Sequence, residues 1–164
     1  MPVAAARRAL RIPPVDLAPA ILFQDVDHEV LPPHVDAPGK VVLVINDLQR
    51  PNGIVITPDD RLVYVSDRGT QKLHRYKVQV DGALEPDGII YDFAPDRGID
   101  GMWLDVEGNI YGAAGKGETT GLFVISPNGK LLLHKPMPEF SANVIFGGPD
   151  MRDLFLTAST SVYK

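Results

Sequence analysis

Apolar residues recur along the chain in short runs separated by polar turns that contain Gly, Pro, Asn or Asp. Residues 41–45, 62–66 and 121–125 are three such runs. Short apolar runs bounded by turn residues are typical of β-strands. An apolar spacing of three and four residues, sustained over a long window, would favour a helix, but Gly and Pro interrupt most of the chain. The pattern therefore predicts an all-β protein.

Three segments share one arrangement: residues 50–66, 98–113 and 142–158. Each begins with Asn or Asp at the head of an apolar run, followed by a polar turn and a second apolar run. The head residues are Asn52, Asp100 and Asn143, which lie 48 and 43 residues apart. This period is that of the four-stranded blades of a β-propeller.

Further apolar runs, joined by turns at residues 81–82 and 127–130, read as the outer hairpins of the repeats. Counting hairpins gives half a blade near residues 30–47, full blades near 50–94 and 98–138, and half a blade at 142–164. We therefore expect about three four-stranded blades. A partial β-propeller domain would occupy residues 31–164, and residues 1–30 match it poorly and read as a flexible leader.

Composition narrows the function classes. Sixteen basic against 21 acidic residues give a net charge of −5 without a basic cluster, which argues against a nucleic-acid partner. Without cysteine, any metal must bind oxygen or imidazole ligands. No apolar stretch reaches the roughly 18 residues that a membrane span needs. We expect a soluble protein with no membrane partner, and a cytoplasmic location is favoured.

The residues around the three heads resemble the regucalcin and gluconolactonase family. The first motif is Pro51-Asn52-Gly53-Ile54 with residues 57–59 and 63–67, the second is Asp100-Gly101-Met102 with residues 104–105 and 108–109, and the third is Asn143 with Phe146-Gly147-Gly148 and residues 157–158. The resemblance spans roughly residues 34–164. It implies a six-bladed β-propeller that binds one divalent cation, calcium first and zinc second, and hydrolyses sugar lactones or related esters.

The resemblance gives Asn52 and Asp100 the role of metal ligands, and Asp100 also that of catalytic base. Chemistry supports the assignment, because an amide carbonyl and a carboxylate are hard oxygen ligands and a carboxylate can accept a proton from water. The alternative is that Asn52-Gly53 and Asp100-Gly101 are ordinary turn dipeptides. Asn143 would line the substrate site or cap the backbone.

The chain also departs from the family. A complete member has a Glu-Gly segment in its first blade that supplies a third ligand, and a further blade whose Arg and Asn contact substrate. Neither is recognisable here, and the surroundings of Glu29 do not fit the ligand segment. Two protein ligands rarely hold calcium tightly.

We therefore expect a metal-dependent, gluconolactonase-like hydrolase of sugar lactones whose activity is lost or needs completion by another chain. The alternatives are a non-catalytic binding or assembly module derived from a propeller, and an arylesterase-like hydrolase. A partial propeller exposes blade faces and strand edges, and apolar runs such as residues 41–45 and 154–156 make this exposure costly. A homodimer that completes the propeller is therefore the expected partner arrangement.

Overall fold

The structure, a computed structural model, describes residues 42–164, and this part contains eleven strands and one short 3-10 turn at Gly117–Thr119. The strands are β1 Pro51–Ile56, β2 Leu62–Asp67, β3 Lys72–Val78, β4 Leu84–Asp92, β5 Met102–Leu104, β6 Ile110–Ala114, β7 Gly121–Ile125, β8 Leu131–Pro136, β9 Ser141–Gly147, β10 Asp153–Ala158 and β11 Val162–Tyr163.

The strands form three antiparallel sheets in chain order. The first sheet is β1 to β4, the second is β5 to β8, and the third is β9 to β11. Every neighbouring pair is a hairpin of consecutive strands, as in the blades of a propeller. The predicted all-β class is confirmed, and the third sheet has one strand more than the half blade expected from hairpin counting.

The half blade expected near residues 30–47 is not seen in the part of it that the structure describes. Residues 42–48 have no strand, and residues 1–41 lie outside the described residues. A strand needs a neighbour for its backbone groups, and among residues 42–164 β1 is paired with β2 alone. Residues 42–48 instead place the side chains of Ile45 and Leu48 against the first sheet.

Alternating side chains of β2 explain how the sheets stack. Val63 and Val65 point to one face, where they meet Tyr76, Ile45 and Leu48. The other face belongs to the main core between the first and second sheets. Its buried members are Tyr64, Leu73, Phe93, Ile99, Met102, Leu104, Ile110, Ala114, Phe123 and Ile125. Burying one large apolar side chain stabilises the fold by about 1.5–3 kcal/mol, so this interface holds the two sheets together.

A smaller cluster joins the second sheet to the third. Ala113 of β6 packs there against Val144 of β9 and Leu156 of β10. Met102 and Leu104 are alternate residues of β5 and both are buried, whereas Val106 is not. Val106 is fully exposed because β5 ends at Leu104 and the chain turns at Asp105, so the alternation does not continue.

Glycine shapes the hairpin turns. Gly82 and Gly129 adopt φ angles of 81° and 86°, a left-handed conformation that costs other residues free energy. Both turns lie where the sequence placed them. No helix in residues 42–164 is long and apolar enough to cross a membrane.

Apolar side chains are exposed on the two faces that point away from the second sheet. Ile54 and Ile56 of β1 oppose Val65 and Val63 in register and so share their face, and they are exposed. Ile145 of β9 is exposed on the side opposite to the buried Val144. Completion of the ring by a second copy stays a prediction.

Candidate functional site

The three head residues lie on neighbouring first strands of successive sheets. Asn52 is in β1, Asp100 precedes β5 by two residues, and Asn143 is in β9. β5 contacts both β1 and β9. The topology therefore brings the predicted site residues to one end of a row of inner strands.

Two glycines let these strands approach closely. A Cβ atom at Gly53 would lie 2.5 Å from the carbonyl oxygen of Asp100, and one at Gly101 would lie 2.8 Å from Cα of Asn143. Real Cβ atoms do not come so close to backbone, so each position requires glycine. The glycines that follow the first two heads thus each lie against the next head.

Asn52 and Asp100 meet directly. The amide Nδ2 of Asn52 donates a hydrogen bond of 2.7 Å to Oδ1 of Asp100. The backbone of Asp100 is fixed to the second sheet, since its N–H donates to the carbonyl of Ala113 and the Ala113 N–H donates to the carbonyl of Gly101. Asn52 is exposed and the Asp100 side chain is 26% exposed, so solutes can reach the pair.

Asn143 lies beside Gly101 but takes a different hydrogen bond. Its Oδ1 accepts from the N–H of Val144, the next residue in the chain, at 2.9 Å. The side chain is exposed. The geometry therefore places Asn143 next to the segment that carries Asp100, with one amide atom engaged by the backbone, and its predicted role toward substrate stays a prediction.

A guanidinium completes the surroundings of Asp100. Nη1 of Arg97 donates to Oδ2 of Asp100 at 2.9 Å, Nε donates to the carbonyl of Gly115 at 2.9 Å, and Nη2 donates to the carbonyl of Ser141 at 2.8 Å. Arg97 is 6% exposed and stacks on the ring of Phe140. Burial lowers the pKa of the Arg97 guanidinium, and the Asp100 carboxylate counteracts this, so the group stays protonated.

The oxygen atoms of Asp100 and Asn52 are of the type that a hard divalent cation prefers, but they are too few to complete a site. Asp100 and Asn52 offer carboxylate and amide oxygens, which calcium prefers. Residues 42–164 contain no group of three or more His, Cys, Asp or Glu side chains that could hold a metal ion. Calcium takes about six to eight oxygen ligands, so this part of the chain supplies only a fraction of a full site.

Residues 32–160 match the family described as the SMP-30/gluconolactonase/LRE-like region. The chain belongs to this family. Among curated relatives, the 6-deoxy-6-sulfogluconolactonase of Pseudomonas putida is 30% identical over 128 residues, which cover 76% of this chain and 43% of the relative. The gluconolactonase of Zymomonas mobilis is 29% identical over 138 residues, which cover 77% of this chain and 37% of that enzyme.

Solved structures of the gluconolactonase family share the fold. The gluconolactonase of Xanthomonas campestris aligns with a TM-score of 0.62 at 29% identity, covering 72% of this chain and 38% of that one. Regucalcin of Agrobacterium tumefaciens, a calcium-binding protein, aligns with a TM-score of 0.63 at 27% identity, covering 76% and 43%. The sheets are therefore those of a β-propeller, and the chain spans about two fifths of the length of these relatives.

The sequence analysis, including the resemblance to the gluconolactonase family, did not identify Arg97 as a residue of the candidate site. The resemblance was built on Asn and Asp heads, whereas Arg97 lies three residues before Asp100 in the loop between β4 and β5. The available signal was a charged pair, Asp96 and Arg97, immediately before the apolar run of the second repeat. The sequence does not show that this arginine is buried or that it joins three backbone segments.

A second aspartate, Asp67, is buried in the same sheet as Asn52. Asp67 ends β2 and accepts hydrogen bonds from the N–H groups of Gln49, Arg50 and Gly69 and from the hydroxyl of Thr70, at 2.7 to 3.1 Å. Burial raises the pKa of Asp67, but the four donors outweigh it and lower the pKa to about 2. This carboxylate is saturated by its own chain and has no open side for a ligand.

Proposed function

We propose that this chain carries part of the active site of a metal-dependent hydrolase that acts on sugar lactones. The observation that supports this most is the contact between Asn52 and Asp100, which come from different sheets and lie 48 residues apart in sequence, yet bond at 2.7 Å in an accessible position. Family membership and relatives named as gluconolactonases support the same class.

Asp100 would act as the proton acceptor of the reaction. A water oxygen attacks the carbonyl carbon of the lactone, and a proton of that water passes to the Asp100 carboxylate. The ring C–O bond then breaks, and the leaving alkoxide receives the proton, so that the product is the open hydroxy acid. Arg97 keeps its charge beside Asp100 throughout and balances the carboxylate before the proton arrives.

Asp100 and Asn52 would also hold the divalent cation through one oxygen each. When bound, such a cation polarises the lactone carbonyl and lowers the pKa of a bound water. The remaining ligands must come from water or from residues other than 42–164, because these two donors fall short of a calcium shell. We propose calcium first and zinc second.

We further propose that a homodimer completes the ring. Exposed Ile54 and Ile56 on one outer face and Ile145 on the other support this, because apolar faces of this kind are normally packed against neighbouring blades. Two-fold symmetry would satisfy both faces at once. Light scattering from nanomolar to micromolar concentration tests this, and a compact monomer at every concentration contradicts it.

Hydrolysis is tested with a panel of sugar lactones and aryl esters, each with calcium, zinc or a chelator. The proposal predicts turnover of a sugar lactone that chelation removes and calcium or zinc restores. Preferred turnover of the aryl esters would favour an arylesterase-like enzyme. Absence of turnover with every substrate in the assembled protein would leave the binding or assembly module as the better description.

A matched pair of variants separates site chemistry from folding. Asp100→Asn keeps the size of the side chain and removes its charge at the proposed site. Asp153→Asn makes the same change in a carboxylate whose partner is the exposed Lys164. We expect only the first to reduce calcium binding in titration calorimetry, and equal binding by both variants would contradict the assignment of Asp100.

A further inference from the structure

We propose that Arg97 is a positioning residue that fixes Oδ2 of Asp100 and thereby presents Oδ1 to Asn52. This inference rests on the proposed function in so far as Asp100 is the proton acceptor. It assigns to Arg97 a role that none of the motif residues fills.

The guanidinium is held independently of Asp100. Nε and Nη2 are fixed by the carbonyls of Gly115, which follows β6, and Ser141, which begins β9. Phe140 lies against the guanidinium, with the carbon Cζ of Arg97 4.1 Å from the ring centroid. Contacts with two sheets and one aromatic ring therefore define the plane of the guanidinium. The direction of its third nitrogen, Nη1, is fixed as a result.

That direction ends on Asp100. Because Oδ2 accepts from Nη1 at 2.9 Å and Oδ1 accepts from Asn52 at 2.7 Å, the carboxylate has a donor from the second sheet on one oxygen and a donor from the first sheet on the other. Rotation of the carboxylate would break both bonds. Arg97 thus fixes the orientation of the carboxylate plane and the direction in which its second oxygen faces Asn52.

A lysine could not replace this arrangement. Its ammonium is a point charge, whereas the three contacts of Arg97 need donors that diverge within one plane. Arg97→Lys therefore keeps the charge near Asp100 but loses the geometry, which separates positioning from simple charge balance.

Arg75 offers a matched control. It also joins two sheets, since it donates to the carboxylate of Asp87 at 2.6 Å and to the carbonyl of Pro127 at 3.1 Å. Arg75→Lys removes a comparable bridging guanidinium away from Asn52 and Asp100. A merely structural effect of losing an arginine between sheets would appear in both variants.

The first readout is the pair of side-chain amide NMR signals of Asn52, assigned by their loss in Asn52→Ala and measured on the full chain. Asp100→Ala defines their positions without the carboxylate. We expect Arg97→Lys to move both signals most of the way to those positions, although Arg97 donates no hydrogen bond to Asn52. We expect Arg75→Lys to leave them unmoved. Unmoved signals in Arg97→Lys, or equal movement in both lysine variants, would overturn the inference.

The second readout is whether Arg97→Lys changes kcat or KM. With a sugar lactone, Arg97→Lys should lower kcat about 10- to 100-fold, as misplaced catalytic groups do, and leave KM within about threefold. A rise in KM with unchanged kcat would overturn positioning. A wild-type chain without turnover contradicts the proposed function alone, because the NMR comparison still decides the role of Arg97.

If Arg97→Lys does not fold, Phe140→Leu tests the same idea. Phe140 is partly exposed, and its loss removes the stacking surface while all three hydrogen bonds of the guanidinium stay available. We expect the Asn52 signals to move in the same direction by a smaller amount. No movement in a folded Phe140→Leu protein would overturn the inference.

Discussion

Asp67 and Asp100 are two carboxylates with opposite surroundings. Asp67 is 1% exposed and receives three of its four hydrogen bonds from backbone N–H groups. The Asp100 side chain is 26% exposed and receives its two bonds from the side chains of Asn52 and Arg97. The first is enclosed by its own sheet and adjoining loops, and the second lies between sheets.

The difference separates a structural acid, Asp67, from the acid proposed for the site, Asp100. Backbone donors cannot move away without local unfolding, so Asp67 stabilises the fold and has no capacity for a ligand. Side-chain donors can rearrange, and an exposed oxygen can meet substrate or cation. Burial and a lowered pKa alone would have selected Asp67, which shows that the source of the donors and the access of solvent must be considered as well.

The largest expected effect is on turnover when Asp100 is neutralised. Asp100→Asn removes the proton acceptor and a charged ligand, and we expect kcat to fall at least about 1000-fold. The asparagine retains an acceptor oxygen for Arg97, so the free energy of unfolding should fall by only about 1 kcal/mol. Steady-state kinetics and urea unfolding measure the two quantities. Wild-type kcat in this variant would remove Asp100 from the mechanism.

Asp67→Asn should show the reverse behaviour. The new amide group turns an N–H donor toward backbone donors, and we expect the free energy of unfolding to fall by about 3 kcal/mol. Turnover per folded molecule should not change. Asp153→Asn, at the exposed pair with Lys164, serves as control and should change stability by less than about 1 kcal/mol. An equal loss in both variants would contradict the comparison.

The buried carboxylate of Asp67 should also make the free energy of unfolding depend on pH in acid. The pKa of Asp67 is lowered from 3.8 to about 2 on folding, so the folded state binds fewer protons and its stabilisation is present above pH 4. About 2 kcal/mol should be lost as the pH falls from 4 to 2. Urea unfolding of wild type and Asp67→Asn across this range measures it.

The contribution of Asp67 is the difference between wild type and Asp67→Asn in how the free energy of unfolding depends on pH. Glu139 accepts hydrogen bonds from Ser161, Tyr163 and Thr160, which lower its pKa to about 2 as well, so both proteins lose stability in acid. Only wild type contains the Asp67 contribution. Parallel curves would show that Asp67 does not titrate differently on folding.

The smallest expected effect belongs to Asn52→Ala. An amide contributes a neutral oxygen and one donor to Asp100, so we expect about a tenfold loss in calcium affinity and in kcat/KM. Because Asn52 is exposed, the free energy of unfolding should stay within about 0.5 kcal/mol. Calorimetric titration and kinetics test this. A loss of kcat/KM as large as that in Asp100→Asn would show that the Asn52 amide contributes as much as the Asp100 carboxylate.

The sequence predicted the fold through features that repeat. The apolar run of β2 and the turn at Gly82 are set by local chemistry, and the repeat spacing of Asn52 and Asp100 is visible in the sequence. The all-β class and the neighbouring heads could therefore be predicted directly. Residues 42–45 have the composition of a strand but no strand partner in the described part of the chain, and pairing is not a local property.

The site was predictable only in its repeated residues. Arg97 lies in the loop between β4 and β5 and has no counterpart in the repeat pattern. Its burial results from the approach of Ser141 and Phe140, 44 and 43 residues away in sequence. Contacts between sheets, which the sequence of the second repeat alone does not contain, therefore decide the burial of Arg97.

The close contacts at Gly53 and Gly101 have a consequence for how such a chain could be lengthened or rearranged. The nearest atoms to a Cβ at Gly53 or Gly101 belong to the first strand region of the following sheet, so each of these two junctions is specified by two adjacent repeats. A duplicated, deleted or permuted repeat would carry its half of the junction with it. The distance between two neighbouring heads is thus determined by those two repeats alone, and it does not depend on the number of repeats in the protein.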